Sequence, residues 1–504
     1  MTHGRTIAVI DVGSNSVRLL LARALSEFAF EVIDEERYDA RLGEGQDGGD
    51  LTQDGIERGI RALRIMGGIA RSFAPDSIAA VGTEALRRAP NAAEFLERAH
   101  AEAGLDVRIL SGYDEAYCGF LGVVNSTNLR EGHLVDIGGG SLEFMRVEGR
   151  ALADVKSAPL GAIYSRERHL KSDPPTSREI RSLRKSVRQN LKGAQQHPVL
   201  FGTGGAVRNL ARIVRLKRGY PLRRLHGFEL TRRDVRRLAS QLSRVSTDDR
   251  RKMPGVGANR ADILHAAAIV IDEVMELSGA QSLIVAGQGL REGLVWQELR
   301  RDHALLPDVR HASIVGLGRA NGVDELAAEP LVHAAAALFD ASRELHGLEQ
   351  RDQDLLVAAA RLSGIGMHVD YYNRDRHAEY LVHSGDLHGF SHREIVMLAA
   401  LVRWSNTGTP DLSPYAAIIE PDDPRRAAVL AALLGAARAI RRRTPSPVLD
   451  IDARVKRRML QVRLAGRVSL EAEAYELERQ QKRLEAVLKA PVVIETRIQE
   501  PVFA

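Results

Sequence analysis

Two short stretches of this sequence carry the residue types that handle phosphate. One is Ile10-Asp11-Val12-Gly13-Ser14-Asn15-Ser16-Val17; the other is Val135-Asp136-Ile137-Gly138-Gly139-Gly140-Ser141-Leu142-Glu143. Each reads as an apolar strand, an Asp, a glycine-containing turn, a Ser and a second strand. Gly and Asn tolerate the backbone angles of a tight turn. The N–H groups of such a turn can converge on an anion, and the hydroxyls of Ser14 and Ser16 can add bonds. Asp11 stands where a carboxylate could hold a metal bound to phosphate. Three successive glycines let a bulky anion approach the backbone. Taken alone, the first stretch reads as an ordinary β-hairpin. Two such turns in one chain are explained together by two phosphate clamps facing one cleft.

Other segments carry weaker signals. Gly202-Thr203-Gly204-Gly205-Ala206 follows a short strand and opens a helical stretch, and helix N-termini favour anions. Gly287 to Gly293 (GQGLREG) again follows a strand. Ser111-Gly112-Tyr113-Asp114-Glu115-Ala116 ends a strand and starts a helix. Its two acids read either as helix-start carboxylates favoured by the dipole or as a general base acting on water. Thr83 to Arg88 (TEALRR) offers Arg87 or Arg88 as a bidentate phosphate ligand or as a solvated cation.

The elements that must position these residues can be read from periodicity. Strands are expected at Thr6–Ile10, Val17–Ala22, Ser77–Val81, Val107–Leu110, His133–Ile137, Leu142–Val147, Val199–Phe201 and Leu283–Ala286, with helices such as Asp54–Phe73, Ala92–Ala103 and Ile263–Leu277 between them. Alternation of this kind predicts a layered α/β fold to about residue 302. From Asp308 to about Arg443 the chain is Ala/Leu-rich at helical spacing and predicts an all-helical domain. Thr444-Pro445-Ser446-Pro447 breaks it. A strand (Val448–Ile451), a charged helix (Leu470–Leu488) and a strand (Val492–Thr496) then predict a small C-terminal α/β module.

Composition bounds the rest. A chain of 504 residues, 44% hydrophobic and 27% charged, has the profile of a folded globular protein of several domains. One cysteine, Cys118, excludes an intramolecular disulfide framework and suits a reducing compartment. No signal peptide is read at Met1–Arg5, and the apolar run Ala427–Ala437 is too short to span a bilayer. A cytoplasmic protein with no membrane partner is expected. The net charge of +5 is too small to argue for nucleic acid, and the basic clusters lack interleaved aromatics, so no specific nucleic-acid partner is expected.

In order, IDVGSNSVRLL, TEALRRAPN, ILSGYDEA, DIGGGSLEF, GTGGAVRNLA and GQGLREGLV resemble the exopolyphosphatase/guanosine-pentaphosphate phosphohydrolase family of the acetate/sugar kinase, heat-shock chaperone and actin superfamily. The resemblance spans roughly residues 6–300. It implies two actin-like (ribonuclease H-like) domains around a cleft, residues 1–124 and 125–304. A helical HD-like domain (305–443) and a small α/β domain (444–504) follow. It implies that Gly13, Ser14 and Asn15 form the first phosphate turn and Gly138, Gly139, Gly140 and Ser141 the second. Arg87 would grip the phosphate chain, and Gly204 and Gly205 would add to phosphate or nucleotide binding. Asp11, Asp136 and Glu143 would serve Mg²⁺, and Glu115 would be the base that activates water.

The reaction implied is processive, Mg²⁺-dependent hydrolysis of the terminal phosphate of inorganic polyphosphate. Guanosine pentaphosphate, with tetraphosphate, is the alternative ligand of the same site. A homodimer is also implied, with the helical and C-terminal domains lengthening the channel. Basic clusters at Arg178–Lys192, Arg215–Arg224, Arg232–Arg237, Arg441–Arg443 and Arg454–Arg458 are the candidates to line it. In the HD-like region, His368, Asp370, His377, His383 and His388 have no metal-site spacing. A superfamily kinase would not need the Tyr113–Ala116 element. A non-catalytic alarmone or polyphosphate sensor would be free to lose Glu115 or the acidic residues, and all are present.

Overall fold

The computed structural model describes residues 4–46, 49–443 and 445–498, without the side chain of Asp302. The expected chain start at Met1–His3 and Thr444 of the expected break lie outside the described residues. The chain divides into two compact units, Met1–Val309 and Arg310–Ala504.

The first unit is built twice over. One sheet joins β1 (Thr6–Val12), β2 (Val17–Ser26), β3 (Ala29–Tyr38), β4 (Ser77–Gly82) and β5 (Val107–Ile109) in the order β3-β2-β1-β4-β5. β1–β2 and β2–β3 are antiparallel; β1–β4 and β4–β5 are parallel. The second sheet contains β6 (Gly132–Ile137), β7 (Leu142–Glu148), β8 (Ala151–Ala158), β9 (Val199–Thr203), β10 (Glu229–Thr231) and β11 (Ser282–Val285), in the order β10-β11-β9-β6-β7-β8. Here too β6–β7 and β7–β8 are antiparallel while β6–β9 and β9–β11 are parallel. β10 is the one addition. The similar glycine turns are therefore the same β1–β2 and β6–β7 connection in a repeated α/β half, as the actin-like reading expects.

The central strands are buried on both faces, which is why they read as continuous apolar runs. Ile7 to Ile10 and Leu19 to Ala22 are almost fully buried. β3 and β8 were not expected. Both are outer strands: β3 (AFEVIDEERY) and β8 (ALADVKSA) carry charges along the solvent-facing side, which blunts an edge and hides the strand pattern. The helix expected over Ala92–Ala103 ends at Arg98 and continues as a π-helical turn to Ala103.

One buried ion system in this unit makes a pH prediction. The Arg250 side chain is fully buried; it pairs with Asp173 and donates to Ala261 O at 2.8 Å and to His265 Nδ1 at 2.9 Å. Burial, and next Arg250, push the His265 pKa down to about 3. The unfolded chain therefore holds a proton on this residue, between about pH 3 and 6.5, that the folded one lacks. Stability is full above pH 6.5 and falls as pH drops below it, by up to about 1.4 kcal/mol per pH unit for one group. Thermal unfolding across pH 4–7 should show a shallower acid loss in His265→Gln than in the parent. Equal slopes would remove His265 from the account.

The second unit is helical from its start through Ile440. A sheet of β12 (Val448–Lys456), β13 (Met459–Gly466) and β14 (Val492–Ile498) follows, with the helix Glu471–Leu488 connecting the parallel pair β13–β14. β13 was not expected. It alternates half-buried and buried residues regularly, but its hairpin turn is Arg457-Arg458 at φ 51° and 59°, with no Gly or Asn to mark it. Among the described residues, no helix is long and apolar enough to cross a membrane.

Candidate active site

The β1–β2 and β6–β7 hairpins close in the same way. Gly13 N–H donates to Ser16 O at 3.2 Å, and Gly138 N–H donates to Ser141 O at 3.0 Å. The two turns abut: a Cβ on Gly139 would lie 3.2 Å from Ser14 Cβ and 3.5 Å from the Asn15 nitrogen. They line one cleft with about 130 Å³ of room inside it, together with Asp11, Glu115, Asp136 and Glu143. Across the hairpins, Asp11 is in register with Arg18, and Asp136 with Glu143. Equivalent positions of the repeat thus supply a cation on one wall and a carboxylate on the other.

Glycine is required where β9 meets the next helix. Gly204 has φ 98°, and a Cβ there would lie 2.6 Å from Ile137 O. The helix Gly205–Lys217 starts here, so its N-terminus lies in the cleft wall, where free N–H groups favour an anion. Gly204 and Gly205 accordingly join both turns at the cleft.

The Asp114/Glu115 pair divides its labour. Ser111 caps the helix Gly112–Val124, accepting from Asp114 N–H at 3.1 Å and donating to the exposed Asp114 carboxylate at 2.7 Å. Glu115 lies in the cleft wall with its side chain 14% exposed. Arg87 is not part of that wall. It donates to Glu115 at 2.8 Å, to Glu84 at 2.9 Å and to Leu110 O at 2.9 Å. Of the residues expected at phosphate, Arg87 alone is placed one shell back, holding two carboxylates.

The cleft carboxylates hold protons unusually well. Burial raises Asp11, raises Asp136 to about 6, and raises Glu143 well above the usual range, the last also pushed by Glu115 and Asp136. Ser157 donates to Glu143 at 3.1 Å. Burial takes Glu115 to about 7, with Arg87 pulling the other way.

The same cleft holds a group of arginines that the sequence reading left out: Arg18, Arg208, Arg260 and Arg291. Burial brings Arg18 down to about 10 and Arg260 down to about 9, neighbouring arginines adding to the effect. Arg208 is also lowered by burial and donates to Gly287 O at 3.0 Å. Arg291 reaches Glu35 at 2.6 Å, and Glu292 accepts from Gly289 N–H at 2.7 Å. Arg18 and Arg260, lowered by burial and then by neighbouring arginines, favour a polyanion beside them, whereas Arg291, despite burial, is held above its ordinary value by Glu292 and Glu35. Arg18, Arg208 and Arg291 lie inside the family-like motifs IDVGSNSVRLL, GTGGAVRNLA and GQGLREGLV, and Arg18 faces Asp11 across a recognisable hairpin. Arg260, in a short 3₁₀ turn, gave no signal.

Several expected channel cations are committed elsewhere. Arg184 and Arg188 pair with Asp272 and Glu273, Arg232 and Arg236 with Glu276, and Arg443 with Glu473. Among the described residues no group of three or more His, Cys, Asp or Glu is arranged to hold a metal by itself. Mg²⁺ is commonly held by one or two carboxylates plus substrate phosphates. A cleft lined by six carboxylates, with Asp11, Glu115, Asp136 and Glu143 all raised, beside two anion turns fits that shared mode.

Known proteins agree with this architecture. Residues 21–302 match the Ppx/GppA phosphatase family, and residues 309–481 match domain III of the Ppx/GppA phosphatases. The crystal structure of the Aquifex aeolicus Ppx/GppA family member is 31% identical over 59% of this chain and 98% of its own, with a TM-score of 0.53. Another structure of the Aquifex aeolicus PPX-GPPA enzyme is also 31% identical, over 58% of this chain and 98% of its own, with a TM-score of 0.51. An exopolyphosphatase from Cytophaga hutchinsonii shares the fold at 24% identity, over 58% of this chain and 98% of its own, with a TM-score of 0.55. The chain belongs to the Ppx/GppA phosphatase family and is a hydrolase of phosphoanhydride bonds.

Proposed function

We propose that this protein is an exopolyphosphatase that removes terminal phosphates processively from inorganic polyphosphate. The observation that supports it most is the apposition of two anion-binding turns beside Glu115, with four arginines continuing the same cleft. The terminal phosphoryl group lies between Gly13–Asn15 and Gly138–Ser141, whose N–H groups face its oxygens. The rest of the chain lies toward Arg18, Arg208, Arg260 and Arg291. Glu115 orients a water and takes its proton as the oxygen attacks phosphorus. The bridging P–O bond breaks, and the shortened chain leaves with that oxygen, its charge balanced by the arginines.

Asp11, Asp136 and Glu143 would hold Mg²⁺. Bound there, the ion would neutralise phosphate oxygens and relieve the repulsion among the carboxylates. Guanosine pentaphosphate is the competing substrate, because the same arginines and the Gly204–Gly205 turn suit a nucleotide's phosphates.

The test is phosphate release by the full chain with Mg²⁺, from long polyphosphate and from guanosine pentaphosphate in parallel. Faster release from polyphosphate, abolished by EDTA and restored by Mg²⁺, is expected. Preference for the nucleotide would move the reading to alarmone turnover. Undiminished release in EDTA would remove the metal.

A further inference from the structure

A second chamber lies behind the two phosphate turns. It leaves about 30 Å³ of room inside it and shares Ser14, Glu84 and Gly140 with the cleft as a common wall. That wall is one side chain thick at Glu84: a Cβ on Gly140 would come within 2.4 Å of Glu84 Cγ. Glu84 is 8% exposed, and its carboxylate is latched by Arg87 at 2.9 Å and Arg88 at 3.3 Å. Arg88 lines the chamber, with its guanidinium 5.1 Å from the Tyr164 ring centroid. Arg168, exposed to solvent, also lines it.

This position matters if the cleft works as proposed above, and the inference rests on that reading. A processive enzyme keeps the shortened chain on its arginines after each cleavage. The released orthophosphate then sits at Ser14 and Gly140 with the cleft behind it still filled. It cannot return that way without displacing the chain.

We propose that orthophosphate leaves through the second chamber, with Glu84 as the gate. A free phosphate at the wall competes with the Glu84 carboxylate for Arg87 and Arg88. Exchange of those partners opens the latch, and Arg88 and then Arg168 offer the anion successive cations on the way out. No bond to phosphorus changes in this step.

Rapid mixing of the full chain with long polyphosphate and Mg²⁺ tests it. Total cleaved phosphate is read by acid quench and free phosphate by a fluorescent phosphate-binding sensor. Arg168→Glu places a like charge at the chamber's exposed side, and Ala85→Met fills its buried side. First-turnover cleavage by Arg168→Glu should match the parent, while free phosphate trails cleavage with release slowed about tenfold, the scale of a local electrostatic rate effect. Ala85→Met should show the same lag. Coincident traces in Arg168→Glu overturn the proposal, and because Arg168 is exposed this variant decides even where Ala85→Met fails to fold. A raised KM for polyphosphate with no lag overturns it too, and makes the chamber an entry. Absence of cleavage by the parent would instead overturn the exopolyphosphatase reading itself.

Discussion

Replacing Glu115 by glutamine is expected to lower the rate of phosphate release by about 10²–10⁴, the usual cost of removing a positioned general base. The substitution is close to isosteric, and the amide oxygen can still accept from Arg87, so the fold should be unaffected. What is lost is the proton acceptor. Its strength comes from opposed influences: burial raises the carboxyl to about 7, while Arg87 at 2.8 Å favours the charged form. A base acts as the carboxylate, so the parent's kcat/KM should be full above pH 7 and fall as pH drops through that value. Glu115→Gln should lack this acid limb as well as the rate. A folded variant with near-normal rate, or with the same limb, would move the base to another residue. Glu143 would be the next candidate, since it lies in the same cleft and also holds its proton above the usual range.

What could be read beforehand follows from how local each feature is. The two Asp-x-Gly turns are local grammar: strand, carboxylate, turn and strand occupy one short stretch, and the repeat makes them visible as a pair. The helix-start position of Asp114 and Glu115 is equally local. Which acid faces the cleft is not, because that depends on where the second half of the molecule packs. Arg87 shows the same limit. Its place after β4 was evident, and its pairing with Glu84 is local, but its contact with Glu115 depends on how two separate segments meet. The basic clusters show the same limit from the other side. Charge density along the chain is local, whereas Asp272 and Glu273, which hold Arg184, are about ninety residues away. The cleft instead draws its cations singly: Arg18 from β2, Arg208 and Arg291 from the first turns of two helices, and Arg260 from a 3₁₀ turn.

The largest effect expected away from the cleft comes from Gly293. Two helices cross with almost no side chain between them, one carrying Glu115 (Gly112–Val124) and the other Arg291 and Glu292 (Leu290–Arg300). A Cβ on Gly293 would fall 1.8 Å from Cys118 O, and one on Gly122 would fall 2.1 Å from Gly289 O. Both neighbours are backbone, so no rotamer change can make room. Gly293→Ala must push the helices apart, and Cys118 lies one turn beyond Glu115. Overpacking of this kind costs about 1–3 kcal/mol of stability. A 1 Å misplacement of a catalytic group can cost about 10²-fold in rate. Gly293→Ala is therefore expected to lose about that much kcat, with a lowered melting temperature. Gly68→Ala is the control. Gly68 is on a helix with nothing within 4 Å of an added Cβ, so it should keep full activity and gain about 0.5–1 kcal/mol. Unchanged kcat in a folded Gly293→Ala would mean that Glu115 is positioned by Arg87 and the Ser111 cap alone, and that the close crossing serves stability only.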